Sequence, residues 1–250
     1  SAGSNGVGSW NWTIANDTAL STKARIKVFD ADNFGGLTTD VSNNNFTTRG
    51  ALRVDSPTNS GIIVAVGDTY NITWTVFGAI QNINLSYSTN GAAGPWNAIA
   101  NGISATPPVY EWSIPDAISN SVRVKVNDRD NPNVFNLSSN NFTIVGKVYI
   151  NKPRTAEPDW VVGDVKQIRW TPTGTFSFVK LEGSTNGFAD ENQTWTIGTV
   201  DAGSSGVIQT YNYTVDDKVS ANVKIRVSDS DVNRNPYVRD TSVEAFKIKG

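Results

Sequence analysis

Three pairs of aspartates set one residue apart are the side chains of this sequence best suited to do chemistry: Asp30 and Asp32, Asp128 and Asp130, Asp229 and Asp231. A further oxygen donor, Asp40, Asn136 or Asp240, stands six residues before the phenylalanine that closes each copy. Hard cations such as Ca2+ collect six to eight oxygens from carboxylates, amides and carbonyls. These nine residues are therefore candidate Ca2+ ligands, forming a clip that would stiffen a loop or a joint between units. The competing reading is that Asp and Asn here bond the backbone of their own turns. On either reading no cofactor is required, and calcium is the one cofactor the pattern suggests.

Two further sets invite a binding role. Lys23, Arg25 and Lys27, Arg123 and Lys125, and Lys224 and Arg226 recur at alternate positions. On a strand such residues form a ladder on one outer face, able to meet an acidic polysaccharide or a neighbouring protomer. A solvated face that discourages edge-to-edge pairing explains the same ladder. Trp96, Trp160 and Trp195 lie near the starts of segments and could stack on sugar rings, or could pack at the rim of a core. Catalysis has little to work with. Asp216 and Asp217 are adjacent, so on a strand they would point apart and could not act as a glycosidase pair. Neither a nucleophile elbow nor a phosphate loop is present.

The elements that would hold these residues repeat. From Trp112 the chain reads WSIPDAISNSVRVKVNDRD and closes on NFTIVG at Gly146; from Tyr213 it reads YTVDDKVSANVKIRVSDSD and closes on AFKIKG at Gly250. A third copy runs from Trp12 to Gly50. Upstream, VGDTYNITW ending at Trp74 answers VGDVKQIRW ending at Trp170, and STNG recurs at Ser88 and Ser184. The period is roughly 100 residues, the size of one immunoglobulin-type sandwich. Residues 51–146 and 147–250 each read as a whole repeat, and residues 1–50 as the back half of one. That half is expected to belong to a longer array or to be completed by another segment, since half a sandwich leaves a face and its strand edges uncovered.

Within each repeat, apolar and polar residues alternate: Tyr70, Ile72, Trp74 and Val76; Ile83, Leu85 and Tyr87; Val122, Val124 and Val126. A period of two puts one set inward. Asn-Gly in the STNG segments supplies the positive φ of a tight turn. Trp74 and Trp170 are expected at the centres of cores. The predicted fold is all-β, tandem immunoglobulin-like sandwiches of about seven strands each. A propeller is excluded by the period, since its blades repeat at about 40–50 residues.

Composition agrees. With 38% hydrophobic and 18% charged residues and a net charge of −2, the chain fits a folded protein with modest cores and no nucleic-acid footprint. It contains no Cys, Met or His, which removes disulfides, thiolate nucleophiles and the commonest general base and transition-metal ligand. No run approaches the roughly 18 apolar residues of a membrane span. Asn-X-Ser/Thr sequons recur, for example at Asn11, Asn45, Asn71, Asn84, Asn136, Asn141, Asn192 and Asn212, and would permit glycosylation of an exported chain.

At VGDxxxIxW, preceded by VDSP at Val54–Pro57 and INKP at Ile150–Pro153, the sequence resembles the Kre9/Knh-type Ig-like domain. Trp160, Gly163, Ile168, Trp170, Val179 and Leu181 match its pattern, and Val64 stands where the middle repeat would carry the first Trp. The VxDxD segment and the closing Phe resemble the ends of repeats in large bacterial and archaeal surface proteins. The resemblance implies an extracellular or cell-surface setting and no catalytic residue. The function expected is a semi-rigid structural or adhesive array whose partners are copies of itself or neighbouring repeats; a module binding surface polysaccharide or another ligand is the alternative.

Overall fold

The computed structural model describes residues 7–16, 18–32, 38–234 and 236–250. The first segment holds four short strands, β1 (Ser21–Ala24), β2 (Lys27–Phe29), β3 (Thr39–Val41) and β4 (Phe46–Thr48). They pair as two ribbons, β1 with β4 and β2 with β3. With no facing sheet among the described residues, Val28 is 68% exposed, whereas its repeat counterpart Val126 is 0% exposed.

The middle sandwich is complete. Its strands are β5 (Ala51–Ser56), β6 (Ile63–Ala65), β7 (Thr69–Phe77), β8 (Asn82–Ser88), β9 (Asn97–Ser104), β10 (Val109–Ser113), β11 (Ser119–Asp128), β12 (Phe135–Leu137) and β13 (Phe142–Val145). One sheet has the order β10-β7-β5; the other runs β6-β13-β11-β8-β9, with β12 also paired to β11. The seven expected strands become nine segments because two are broken. The first strand crosses between sheets around Pro57–Gly61, and the last is interrupted between Leu137 and Phe142.

The last sandwich repeats this plan with β14 (Lys147–Lys152), β15 (Trp160–Val161), β16 (Val165–Thr173), β17 (Phe178–Ser184), β18 (Thr194–Asp201), β19 (Gln209–Thr214), β20 (Ser220–Asp229), β21 (Arg239–Thr241) and β22 (Phe246–Lys249). Its sheets are β14-β16-β19 and β15-β22-β20-β17-β18, with β21 on β20. The chain is thus all-β, built of immunoglobulin-like sandwiches.

Each sandwich has its own core. Trp74 is buried with Ile72, Leu85, Val124 and Phe142; Trp170 is buried with Ile168, Leu181, Ile225 and Phe246. Both indoles also satisfy a polar atom, since Trp74 Nε1 donates to the Ala105 carbonyl at 3.1 Å and Trp170 Nε1 to the Ala202 carbonyl at 3.0 Å. A buried indole N–H left unbonded would cost about 1–3 kcal/mol, so these bonds fix the depth of each ring. The third candidate donor of the acidic set takes a related job: Asn136 Oδ1 accepts from Val54 N at 3.0 Å, and Asp240 Oδ2 from Ile150 N at 2.9 Å. Each ties the short strand of one sheet to the first strand of the other.

Candidate functional site

The acidic pairs sit at turns. Asp30 Oδ1 accepts from Asp32 N at 3.0 Å, Asp128 Oδ1 from Asp130 N at 2.9 Å, and Asp229 Oδ1 from Asp231 N at 2.9 Å. The first aspartate of each pair therefore caps its own turn, as short acidic side chains do. Arg234 then holds both acids of the last pair, with Nε to Asp229 Oδ2 at 2.6 Å and Nη1 to Asp231 Oδ2 at 3.0 Å. Its guanidinium is pushed above its ordinary pKa chiefly by the hydrogen bond to Asp229. Asp130 is met by Arg129 at 2.9 Å. Asp40 lies opposite Val28 in the β2–β3 ribbon, while Asn136 and Asp240 bond the first strand. Among the described residues, no three acidic side chains gather in a group able to hold a metal ion. Because, among the described residues, backbone N–H groups or arginines already bond seven of these nine side chains, all but Asp32 and Asp40, the thermal midpoint should be the same in EGTA and in millimolar CaCl2. A calcium-dependent rise in a scanning calorimeter would restore the cation clip.

The basic ladder faces away from the core but is not simply solvated. Arg123 donates to Asn141 Oδ1 at 2.8 Å and to the Ser138 carbonyl at 2.7 Å, and Arg25 makes the matching bond to Asn45 at 2.7 Å. Lys125 Nζ sits 4.7 Å from the Trp96 ring centroid. Arg226 departs furthest from expectation, at 7% exposure. The short 3-10 turn Glu191–Gln193 and the Phe188 ring, 4.2 Å from its Cζ, close over it. There it is matched by Glu182 at 2.9 Å and Glu191 at 2.9 Å.

Nor do the three tryptophans form a sugar platform. Trp160 is 1% exposed, packed against Phe246 with tilted rings whose centroids lie 4.4 Å apart, because β15 pairs with β22 and turns the ring inward. Trp195 and Trp96 do not share a register. Trp195 is the cross-strand partner of Gly183, whereas Tyr87, the counterpart of Gly183, is paired with Asn97. One residue of offset sends the two tryptophans to opposite faces of their sheets. Trp195 packs against the core and donates to Tyr213 Oη at 3.2 Å. Trp96 lies outside, beneath Lys125.

Two places lie largely outside the candidate site residues read from the sequence. One is a cleft of about 300 Å3 lined by Lys147, Tyr149, Arg154, Tyr237, Arg239 and Asp240. Tyr149 and Tyr237 are exposed there, and Arg154 stacks on Tyr149 at 3.8 Å while bonding Asp240 at 2.9 Å. The available signal was departure from the repeat: Tyr149, Tyr237 and Arg239 stand where the middle sandwich has Arg53, Asn133 and Phe135.

The other is the joint between sandwiches. The chain passes from Val145 through Gly146 into β14 with no linker. A Cβ on Gly146 would lie 2.8 Å from the Phe176 ring and 2.9 Å from the Thr173 carbonyl oxygen, so only glycine fits. Gly174, at φ 90°, lets the corner of the last sandwich approach Val66 and Ile118 of the middle one. Ile63, Ala65 and Ile118 pack against the last core, and Ile118 also touches the middle core. Asp116 clamps the corner, accepting from Thr175 N at 2.9 Å and from Thr175 Oγ1 at 2.6 Å. Lys147 pairs with Asp68 across the same joint. The first joint copies the design: Gly50 abuts Ile80, and Gly78 at φ 82° abuts Leu20. There Thr18 and Ala79 replace the Asp116–Thr175 clamp, and a cavity of about 210 Å3 remains beside Leu20 and Gly78.

No protein-family model matches the chain, and no curated protein matches it. Among solved structures it is similar to the fibronectin(III)-like modules of Clostridium thermocellum CbhA, at 15% identity over 79% of this chain and 94% of that one, TM-score 0.26. A titin Ig tandem is matched at 11% identity over 81% and 99% of the two chains, TM-score 0.28. Three N-terminal domains of the bacteriophage RB49 Hoc capsid protein are matched at 12% identity over 80% and 59%, TM-score 0.25. The first two are fibronectin(III)-like and Ig modules, the class already evident from the strand order, and at this level of similarity none of the three says anything of function. No helix of the described residues is long and apolar enough to cross a membrane.

Proposed function

We propose that the chain is a structural segment of an extracellular or cell-surface protein, in which immunoglobulin-like repeats supply length and stiffness and no residue is catalytic. The repeats are residues 51–146 and 147–250, with 1–50 the back half of another. The observation that carries this reading is the linker-free joint, in which Gly146, Gly174 and the Asp116–Thr175 clamp lock one sandwich against the next. A joint in which one side chain, the half-buried Ile118, packs against both cores restricts relative motion far more than a flexible linker does. Such stiffness serves a surface array, a fibre or a stalk. The resemblance around Trp160, Gly163, Ile168 and Trp170 to the Kre9/Knh-type domain supports a wall or surface setting.

The test is motional. In the native chain, 15N relaxation should give both sandwiches one common rotational correlation time. Gly174→Val forces a branched side chain into φ 90° and into Val66 and Ile118; it should uncouple the two while each remains folded. Independent tumbling of the native sandwiches would end the proposal.

A second reading is favoured by one feature, the cleft at Tyr149 and Tyr237. Two exposed phenol rings beside Arg239 and Lys147 suit a uronic-acid-bearing polysaccharide, the rings for stacking and the cations for carboxylates. Titration with alginate should show salt-sensitive binding that Tyr237→Ala weakens by about tenfold, the worth of roughly 1.4 kcal/mol. Binding that is absent, or indifferent to Tyr237→Ala, would dismiss this reading.

A further inference from the structure

The outer end of the last sandwich repeats the backbone frame, and part of the side-chain set, that is covered at the joint between the middle and last sandwiches. Its frame is superimposable bond for bond. Val162 N donates to the Lys249 carbonyl at 2.9 Å as Val66 N does to Val145 at 2.9 Å. Gly163 N donates to Val215 at 2.9 Å as Gly67 N does to Ile114 at 3.0 Å, and Lys218 N to Asp216 at 2.8 Å as Ala117 N does to Pro115 at 2.9 Å. The side chains that do the docking have counterparts on this frame. Val219 stands where Ile118 stands, Asp217 where Asp116 stands, and Gly250 where Gly146 stands. Yet Val219 is 60% exposed. Asp217 is also exposed, and its carboxylate has no hydrogen-bond or ion-pair partner among the described residues. Two positions differ: Lys249 replaces the buried Val145 and pairs with Asp159, which stands where Ile63 packs across the occupied joint. A cation at this position is compatible with an occupied joint, because Arg49 holds it at the first joint, where Leu20 meets Gly78.

We infer that this end is an acceptor face for another sandwich of the same kind, entering by a corner built like Gly174-Thr175-Phe176. The inference rests on the structural reading above and extends it by naming the partner and its contacts. Val219 fills the hollow over the corner glycine, which has no Cβ to exclude it. Asp217 accepts from the backbone N–H and, where the middle corner residue is Thr, from its hydroxyl. Gly250 leaves room for the aromatic ring. Two features of the occupied joint, an apolar knob and a carboxylate clamp, are thus present and uncovered, and glycine stands at the hinge position. The occupant is specified by its corner: a sandwich without glycine at its first corner position would clash with the knob, and one without an apolar third residue would leave the hinge empty.

The chain has no cysteine, so a single introduced thiol reports burial cleanly. Val219→Cys is compared in the native chain and in a chain extended after Gly250 by a second copy of residues 147–250. Ile118→Cys serves as the reference for an occupied joint. The thiol at 219 should react rapidly with DTNB in the native chain and at least about tenfold more slowly in the extended one, as local protection by a packed contact requires. Gly174→Val in the added copy should restore fast reaction, while calorimetry confirms that the copy still melts as a folded unit. A fast thiol at 219 in the extended chain, alongside a slow one at 118, would overturn the acceptor face and leave the joint reading standing. Fast reaction at both positions would overturn the joint reading as well.

Discussion

Trp170→Ala should destabilise the last sandwich by about 3–5 kcal/mol, the usual cost of removing a large aromatic from a core. The indole is 2% exposed, and its loss leaves a cavity among Ile168, Leu181 and Ile225. It also deprives the Ala202 carbonyl of its 3.0 Å bond. The middle sandwich should be nearly unaffected, because Trp74 and its neighbours form a distinct cluster. Calorimetry should therefore resolve an early transition for the last sandwich and a later one close to the native midpoint. Trp74→Ala should reverse the order. If either substitution lowered both transitions equally, the two cores would be energetically one, and the picture of stacked, separately built units would fail.

Arg226→Met should cost about 3 kcal/mol, at the low end of what breaking a buried ion pair costs. Glu182 is 6% exposed and would lose its 2.9 Å partner, keeping only Lys180 at 2.5 Å. Met preserves the contact with Phe188, so the loss reports charge and not volume. Adding Glu182→Leu should recover most of the stability, since well-packed apolar replacements of buried ion pairs are often neutral or better. Failure of the double substitution to recover would mean that the pair supplies specific geometry and not merely mutual neutralisation. The same site has an acid limb. The hydrogen bonds from Arg226 hold the Glu191 carboxyl below its ordinary pKa. A carboxylate lowered in the folded state contributes fully at neutral pH and loses its contribution as pH falls through the lowered value. Loosening of the Glu191 turn should begin only below about pH 4, and Glu191→Gln should abolish that pH dependence in hydrogen exchange of residues 188–194.

How far each feature could be read in the sequence depended on how local its cause was. Alternation at Val122, Val124 and Val126 places three side chains at 0% exposure, because a strand has only two faces and the apolar one must be covered. The repeat of VGDxxxIxW marked the two core tryptophans for the same reason. The acidic pairs carried two readings that composition could not separate. The bond from each first aspartate to the N–H two residues on became visible only with the turn in place. The tryptophan set shows the opposite failure. Gly183 leaves no room for a Cβ, which would stand 2.2 Å from the Trp195 ring. Trp195, with Gly183 and Tyr213, thus fills the space that Tyr87 and Trp112 fill in the middle sandwich. A large residue has moved from one strand to the next, and an alignment of the strands one at a time cannot register an exchange across them.

The order of residues along the chain by itself determined an all-β fold, its repeat, its inward faces and the tryptophans that centre the cores. These follow from side-chain size and a period of two, both of which act over a few neighbouring residues. Only the tertiary structure decided that Arg226 is covered, that Trp160 is core, that Asp116 reaches Thr175, and that Gly146 and Gly174 exist to let two sandwiches touch. Those outcomes depend on which strands end side by side and which corners meet across a joint, and such long-range proximities leave no periodic trace along the chain.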